Sequence, residues 1–236
     1  MNINKHLILL FSVLFFLFAV SVSSGCFRKN ESDVKSVVRN ELDQLKNLDS
    51  ETTQKYIPYT ELFPDATENT DLTDEINETF SLFFRKFNYK ISDVIVGTAN
   101  HSATVSVKLT TIDSKVLARD FKAELLRTQI TESAQTQKGN IKDSSRSLEA
   151  HYLILNHLLN TNDYDTAETD CNIQLVNTGN DKKEKWKIQR TNSLEDDLVG
   201  GLIADLADPD ILSPEDTLTV YLDTLQKLDL KEMTSY

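Results

Sequence analysis

Only two cysteines, Cys26 and Cys171, occur in 236 residues, which excludes a disulfide-stapled scaffold. Glycine (six) and proline (four) are too sparse for a glycine-rich phosphate loop or a low-complexity linker, and neither a GxSxG elbow nor a CxxC pair is present. Basic residues are the minority charge, 25 against 37 acids, and they form no dense patch. Nucleic acid, whose phosphates need a basic footprint, is therefore not an expected partner. Beyond Val20 no apolar run approaches the roughly twenty residues that a membrane helix needs.

The chain's start is what it has in place of these. Lys5 supplies positive charge, residues 7–20 supply an apolar stretch, and Ser21, Ser23, Ser24 and Gly25 supply a small-residue end, the order of a secretory leader. The serines interrupt the run before it reaches spanning length, so residues 1–25 read as a signal and not as a membrane helix. Gly25 followed by Cys26 resembles the lipobox of bacterial lipoproteins, with Ser23 where that family usually has leucine. The resemblance implies signal cleavage between Gly25 and Cys26 and lipidation of Cys26. At ~0.8 kcal/mol per buried methylene, two acyl chains hold a protein on a bilayer stably, whereas one gives marginal binding. The expected partner is thus a membrane, met through the lipid anchor on the outer face, with residues 26–31 as anchor and short linker. Loss of the leader removes Lys5 and no acid, so a net charge of -12 becomes one unit more negative. The body itself then has no attraction to anionic lipid. Two alternatives stay open: secretion without lipid, leaving Cys26 a thiol, and a secreted glycoprotein, since Asn30, Asn77 and Asn100 each open an acceptor triplet.

Along the rest of the chain the apolar period changes in a readable way. Val34, Val37, Val38, Leu42, Leu45 and Leu48 recur three and four apart and predict a helix over 31–47. Ile76, Phe80, Phe83, Phe84 and Phe87 predict a second over 72–87, with Leu72 at its start. The period then falls to two: Tyr89, Ile91, Val94 and Val96, a turn over 97–102, then Ala103, Val105, Val107 and Leu109 alternating with Thr104, Ser106 and Lys108, which predicts a hairpin. Leu117, Phe121 and Leu125 start a helix, the polar stretch 131–147 reads as a mobile loop or frayed helix end, and Leu148, Tyr152, Leu155 and Leu159 mark a further helix. A second hairpin pairs 170–177 with 185–190, with Trp186 and Ile188 sharing one face of the second strand and Cys171, Ile173 and Leu175 sharing one face of the first. Cys171 reads as a core thiol, with a Cys26–Cys171 bridge as the alternative.

These elements predict an α+β fold, amphipathic helices packed on a four-stranded antiparallel sheet, over residues 32–207 with a helical insertion at about 114–160. Residues 208–236 read as a linker and C-terminal helix. Leu42, Asp43, Leu45, Leu48, Asp49 and Tyr56 recur at constant offset as Leu222, Asp223, Leu225, Leu228, Asp229 and Tyr236. The tail is then either a chance of leucine spacing or the opening of a second repeat, and in the second case Leu218, Tyr221, Leu222 and Leu225 should be little buried.

Lys185-Trp186-Lys187-Ile188 closing a hairpin, Tyr89-Lys90-Ile91 directly after an aromatic helix, and Gly200-Gly201 soon after the tryptophan resemble bacterial lipoproteins of the nuclear transport factor two-like, or cystatin-like, superfamily, mostly of unknown function. The resemblance spans residues 32–206. It implies a curved sheet wrapping its helices around a cone-shaped cavity; the chain departs from that family by its long helical insertion between strands, at 114–159.

No catalytic set, metal site or cofactor site is expected. His151 and His157 lie six apart, off a shared helical face, and His101 lies in a turn. Residues 205–216 carry acids without the glycine a calcium loop needs, so they read as solvated helix ends, while Asp196 and Asp197 suit the first turn of a helix. The leading functional reading is a lipid-anchored, non-enzymatic binding or interaction module of the cell envelope. The second is a small-ligand carrier or enzyme using the cone cavity, with Tyr89, Asp93 and Asp170 as pocket candidates. A solute-binding lipoprotein of a transporter, which needs two lobes, does not suit one modest core.

Overall fold

The computed structural model describes residues 30–57, 62–64, 66, 73–97, 101–136, 145–179 and 184–233. Gly25 and Cys26 lie outside them, as does much of the polar stretch expected to be a loop. The described chain is α+β, with eight helices and a four-stranded antiparallel sheet in the order β1-β2-β3-β4. The elements are α1 (30–46), α2 (Ser50–Tyr56), α3 (Thr73–Phe84), β1 (Asn88–Val96), β2 (Ser102–Ile112), α4 (Ser114–Thr136), α5 (Leu148–Thr161), β3 (Thr166–Asn177), β4 (Trp186–Ile188), α6 (Asn192–Leu198), α7 (Leu202–Ala207) and α8 (Pro214–Met233). No helix among the described residues is long and apolar enough to cross a membrane.

Two compact units divide the chain. The first takes its described residues from Met1–Glu41, Ile91–Val107 and Asn172–Gln189. Strand alternation decides its two faces: Ala103, Val105, Val107, Ile173 and Leu175 are buried, while between them Thr104 Oγ1 donates to Gln174 Oε1 (2.9 Å) and Ser106 Oγ to Asn172 Oδ1 (2.8 Å). Leu175 stands opposite Ile188 and Asn177 opposite Trp186, which fixes the last hairpin. Val34 and Val38 on α1 are fully buried.

The second unit, Leu42–Lys90, Lys108–Cys171 and Arg190–Tyr236, carries most of the helices. Its α1 portion buries Leu42 and Leu45, and Asp49 caps α2 by accepting from the Thr52 N–H. Phe80, Phe83, Phe84 and Phe87 are buried together, with Phe84 ring centroids 5.4 Å from Phe83 and 5.3 Å from Phe87 in edge-to-face contact. The helix bearing them stops at Phe84 instead of Phe87, because the Phe87 N–H closes a tighter turn onto the Phe84 carbonyl and the chain enters β1 at once.

Helix α4 differs more from the periodicity. It continues through Thr131 to Thr136, six residues into the stretch read as a loop. Thr128 and Thr131 hydroxyls bond the carbonyls of Glu124 and Arg127, and Arg127 pairs with Glu124 at 2.8 Å. Packing against α5, α7 and α8 engages α4 on several sides, so no single apolar stripe marks it in the sequence. β3 likewise starts four residues early, at Thr166, where Lys108 reaches Glu168 (3.2 Å) and holds polar chain in the ladder. Asp196 and Asp197 close α6 instead of opening a helix; Asp196 Oδ1 accepts the Ala204 N–H in the first turn of α7. α8 packs along α4 and buries Val220 and Thr224, while Leu218 (58%), Tyr221 (45%), Leu222 (55%) and Leu225 (36%) stay exposed.

Candidate functional site

The second unit contains a cavity of about 530 Å³, within the range of small-molecule pockets. Its floor follows from helical spacing. On α4, Phe121, Leu125 and Gln129 recur every fourth residue and share a face. On α7, Ile203, Leu206 and Ala207 do the same with spacings of three and four. Phe63, ahead of Pro64, supplies the aromatic centre: its ring stacks on Phe121 (5.1 Å) and on His151 (4.9 Å) and meets Tyr152 edge-on (5.4 Å).

His151 is fixed by the start of α5. Ser147 Oγ accepts from the Ala150 N–H as N-cap, and the Ser147 carbonyl lies 2.8 Å from His151 Nδ1. A carbonyl oxygen only accepts, so Nδ1 carries the proton and Nε2 keeps the lone pair that titrates. Burial holds the His151 pKa below its ordinary value, the Ser147 hydrogen bond opposes this, and the positive charge of Lys122 adds to the lowering. Lys122 and Arg146 line the same cavity, and no carboxylate does among the described residues. Glu132 is nearby, where its Oε2 accepts from the Ser145 N–H (3.2 Å).

The depressed pKa fixes a sign for stability. The unfolded histidine, near 6.5, takes a proton that the folded one resists, so the contribution of His151 is complete above that value and declines as pH falls through and below it. Replacing the ring by another aromatic, His151→Phe, keeps the stack and is expected to flatten the fall of Tm between about pH 7.5 and pH 5, read against the parent chain. An unchanged slope would assign the acid sensitivity elsewhere.

Of the pocket candidates Tyr89, Asp93 and Asp170, none lines this cavity. Tyr89 is half-buried and its hydroxyl donates to Asp43 Oδ1 at 2.6 Å. Asp93 is exposed on β1. Asp170 is exposed 3.8 Å from Lys108 Nζ, and the Lys108 pKa is raised chiefly by its hydrogen bond to Glu168 and then by the Asp170 charge. Cys171 is a buried thiol whose pKa is pushed up to about 12 by burial first and by Asp197 second, which makes it a poor nucleophile. Asp197, half-buried beside it, is raised mainly by burial.

The residues that do form the site were not legible as one. His151 reads in sequence as a histidine without a spaced partner, and Phe63 lies far from Phe121. The chain matches no family model, no curated protein and no solved structure.

Proposed function

We propose that this chain is a bacterial lipoprotein of the cell envelope, tethered by acyl chains on Cys26, whose body works as a binding module for a small ligand seated in the cavity of the second unit. The anchoring half rests on the leader, where a charged start, an apolar stretch and Gly25-Cys26 follow in order. The binding half rests on one observation: a cavity of about 530 Å³ that joins an aromatic floor to a rim bearing Lys122, Arg146 and His151. Apolar area supplies affinity in such a site, and a few placed polar groups supply orientation. This favours the ligand-carrier form of the reading over an enzyme built on Tyr89, Asp93 and Asp170, which lie on strands away from these residues. The affinity with nuclear transport factor two-like lipoproteins stays part of the proposal.

Cell fractionation tests the tether. The parent chain is expected in the membrane fraction and to incorporate labelled palmitate, and Cys26→Ser is expected to lose the label and leave the membrane fraction. A Cys26→Ser chain that stayed equally membrane-bound would refute the anchor.

A further inference from the structure

We propose that the cavity selects an amphiphilic carboxylate, its apolar body lying on Phe63, Phe121, Leu125 and Leu206 and its head group between Lys122 and His151. The inference deepens the binding reading above and rests on it.

Charge carries the argument. The chain as a whole is acidic, 37 acids to 25 bases, yet the described lining of this cavity includes Lys122, Arg146 and His151 and no acid. A cluster of that sign, set in a protein of the opposite sign and beside apolar wall, is complementary to a ligand carrying its own negative charge. The floor asks for the other half of the molecule. Phe63, Phe121 and His151 stack face to face within 4.9 to 5.7 Å, and Leu125, Ile203 and Leu206 extend that apolar surface. A simple inorganic anion would leave this wall wet.

The position of the head group follows from the histidine. Burial lowers the His151 pKa, and the charge of Lys122 works in the same direction. Lys122 thus places positive charge close to the ring, and Arg146 adds a second cation to the same lining. A carboxylate placed there offsets the Lys122 charge and gives Nε2 an acceptor once the ring is protonated, so binding and protonation of His151 favour each other. The other charged groups lining the cavity are Lys122 on α4 and Arg146 just ahead of α5, while α7 contributes Ile203, Leu206 and Ala207 and no titratable group. The pH dependence of binding is assigned to His151, whose ring meets the head group.

The test uses the full lipidated chain in nanodiscs, with empty nanodiscs subtracting partition into lipid, and three probes of equal chain length: octanoate, 1-octanol and octylamine. Octanoate is expected to bind saturably and one to one, to raise the pKa of the His151 ring seen by NMR, and to bind about fivefold or more tighter as pH falls from about 8 to 6. 1-Octanol should bind about tenfold more weakly and octylamine more weakly still, and Lys122→Gln should cost octanoate about tenfold while leaving 1-octanol unchanged. Arg146→Gln serves as a second variant at an exposed position should Lys122→Gln prove unstable. Equal affinity for octanoate and 1-octanol, preference for octylamine, or an unmoved His151 ring would overturn the proposal. Absence of saturable binding by every probe would also overturn it and leave the tether standing, whereas failure of the palmitate experiment would remove the tether and leave the ligand class standing.

Discussion

Phe121→Ala is expected to destabilise the second unit by about 3–5 kcal/mol and to lower Tm by on the order of 10 °C. The side chain is 1% exposed, and its ring has a partner on two sides, Phe63 at 5.1 Å and His151 at 5.7 Å. Truncation removes the transfer free energy of a phenyl group and leaves a void that adjoins the existing cavity. Relaxation of the neighbours is limited, because Phe63 is also held edge-on to Tyr152, itself fully buried on α5. Phe121→Leu, which keeps most of the volume and loses the stack, should cost less than half as much. Urea denaturation of the two variants and the parent checks the order, and a Phe121→Ala midpoint equal to the parent's would show that α4 does not bear on the packing as described.

Gly200→Ala is expected to cost about 2–5 kcal/mol, a large effect for one methyl group, and the cost has two separable parts. The first is backbone: Gly200 has φ +67°, in the left-handed region where an L side chain loses about 1–2 kcal/mol. That conformation ends α6, with the Gly200 N–H on the Asp197 carbonyl (3.0 Å) and the Gly201 N–H on the Asp196 carbonyl (2.8 Å). The second is contact. A Cβ on Gly200 would overlap Thr111 Oγ1 and sit 3.2 Å from Thr111 Cβ, and Thr111 is 1% exposed on β2 with no room to withdraw. Gly201, at φ +91°, has its nearest neighbour 3.7 Å from the same built position, so Gly201→Ala should show the strain without the overlap and cost less. Combining Gly200→Ala with Thr111→Ala should recover the contact part, giving a coupling of about 0.5–3 kcal/mol in a double-mutant cycle. Thr111 has a further use here: its hydroxyl is buried with no hydrogen-bond partner among the described residues, so Thr111→Val alone should be neutral or slightly stabilising. Additive losses for Gly200→Ala and Thr111→Ala would remove the overlap from the account.

The parts of the fold legible in the sequence were those where one face alone is buried. The period-two run from Ala103 to Leu109 and the run Cys171, Ile173, Leu175 stand in β2 and β3 with those residues buried. The helical leucines and phenylalanines of α1, α3 and α5 were equally clear, because each of those helices has one apolar stripe. α4 was half-read for the opposite reason. Contact with three other helices spreads its buried positions round the axis, and its last turns are polar. The helix dipole suits Asp196 and Asp197 to a helix start, but the break between α6 and α7 at Gly200-Gly201 puts them at an end.

By itself the sequence determined the acidic charge, the two-cysteine count and the alternation from helical to strand period that makes the chain α+β. Those are local or compositional properties, set by residues within a turn or two of one another. Only the tertiary structure decided that Phe63, Phe121, Lys122 and His151 share one cavity, since their spacing along the chain carries no period and their meeting depends on how α4, α5 and α7 pack. The same holds for Gly200 against Thr111, a contact across 89 residues that no local propensity encodes.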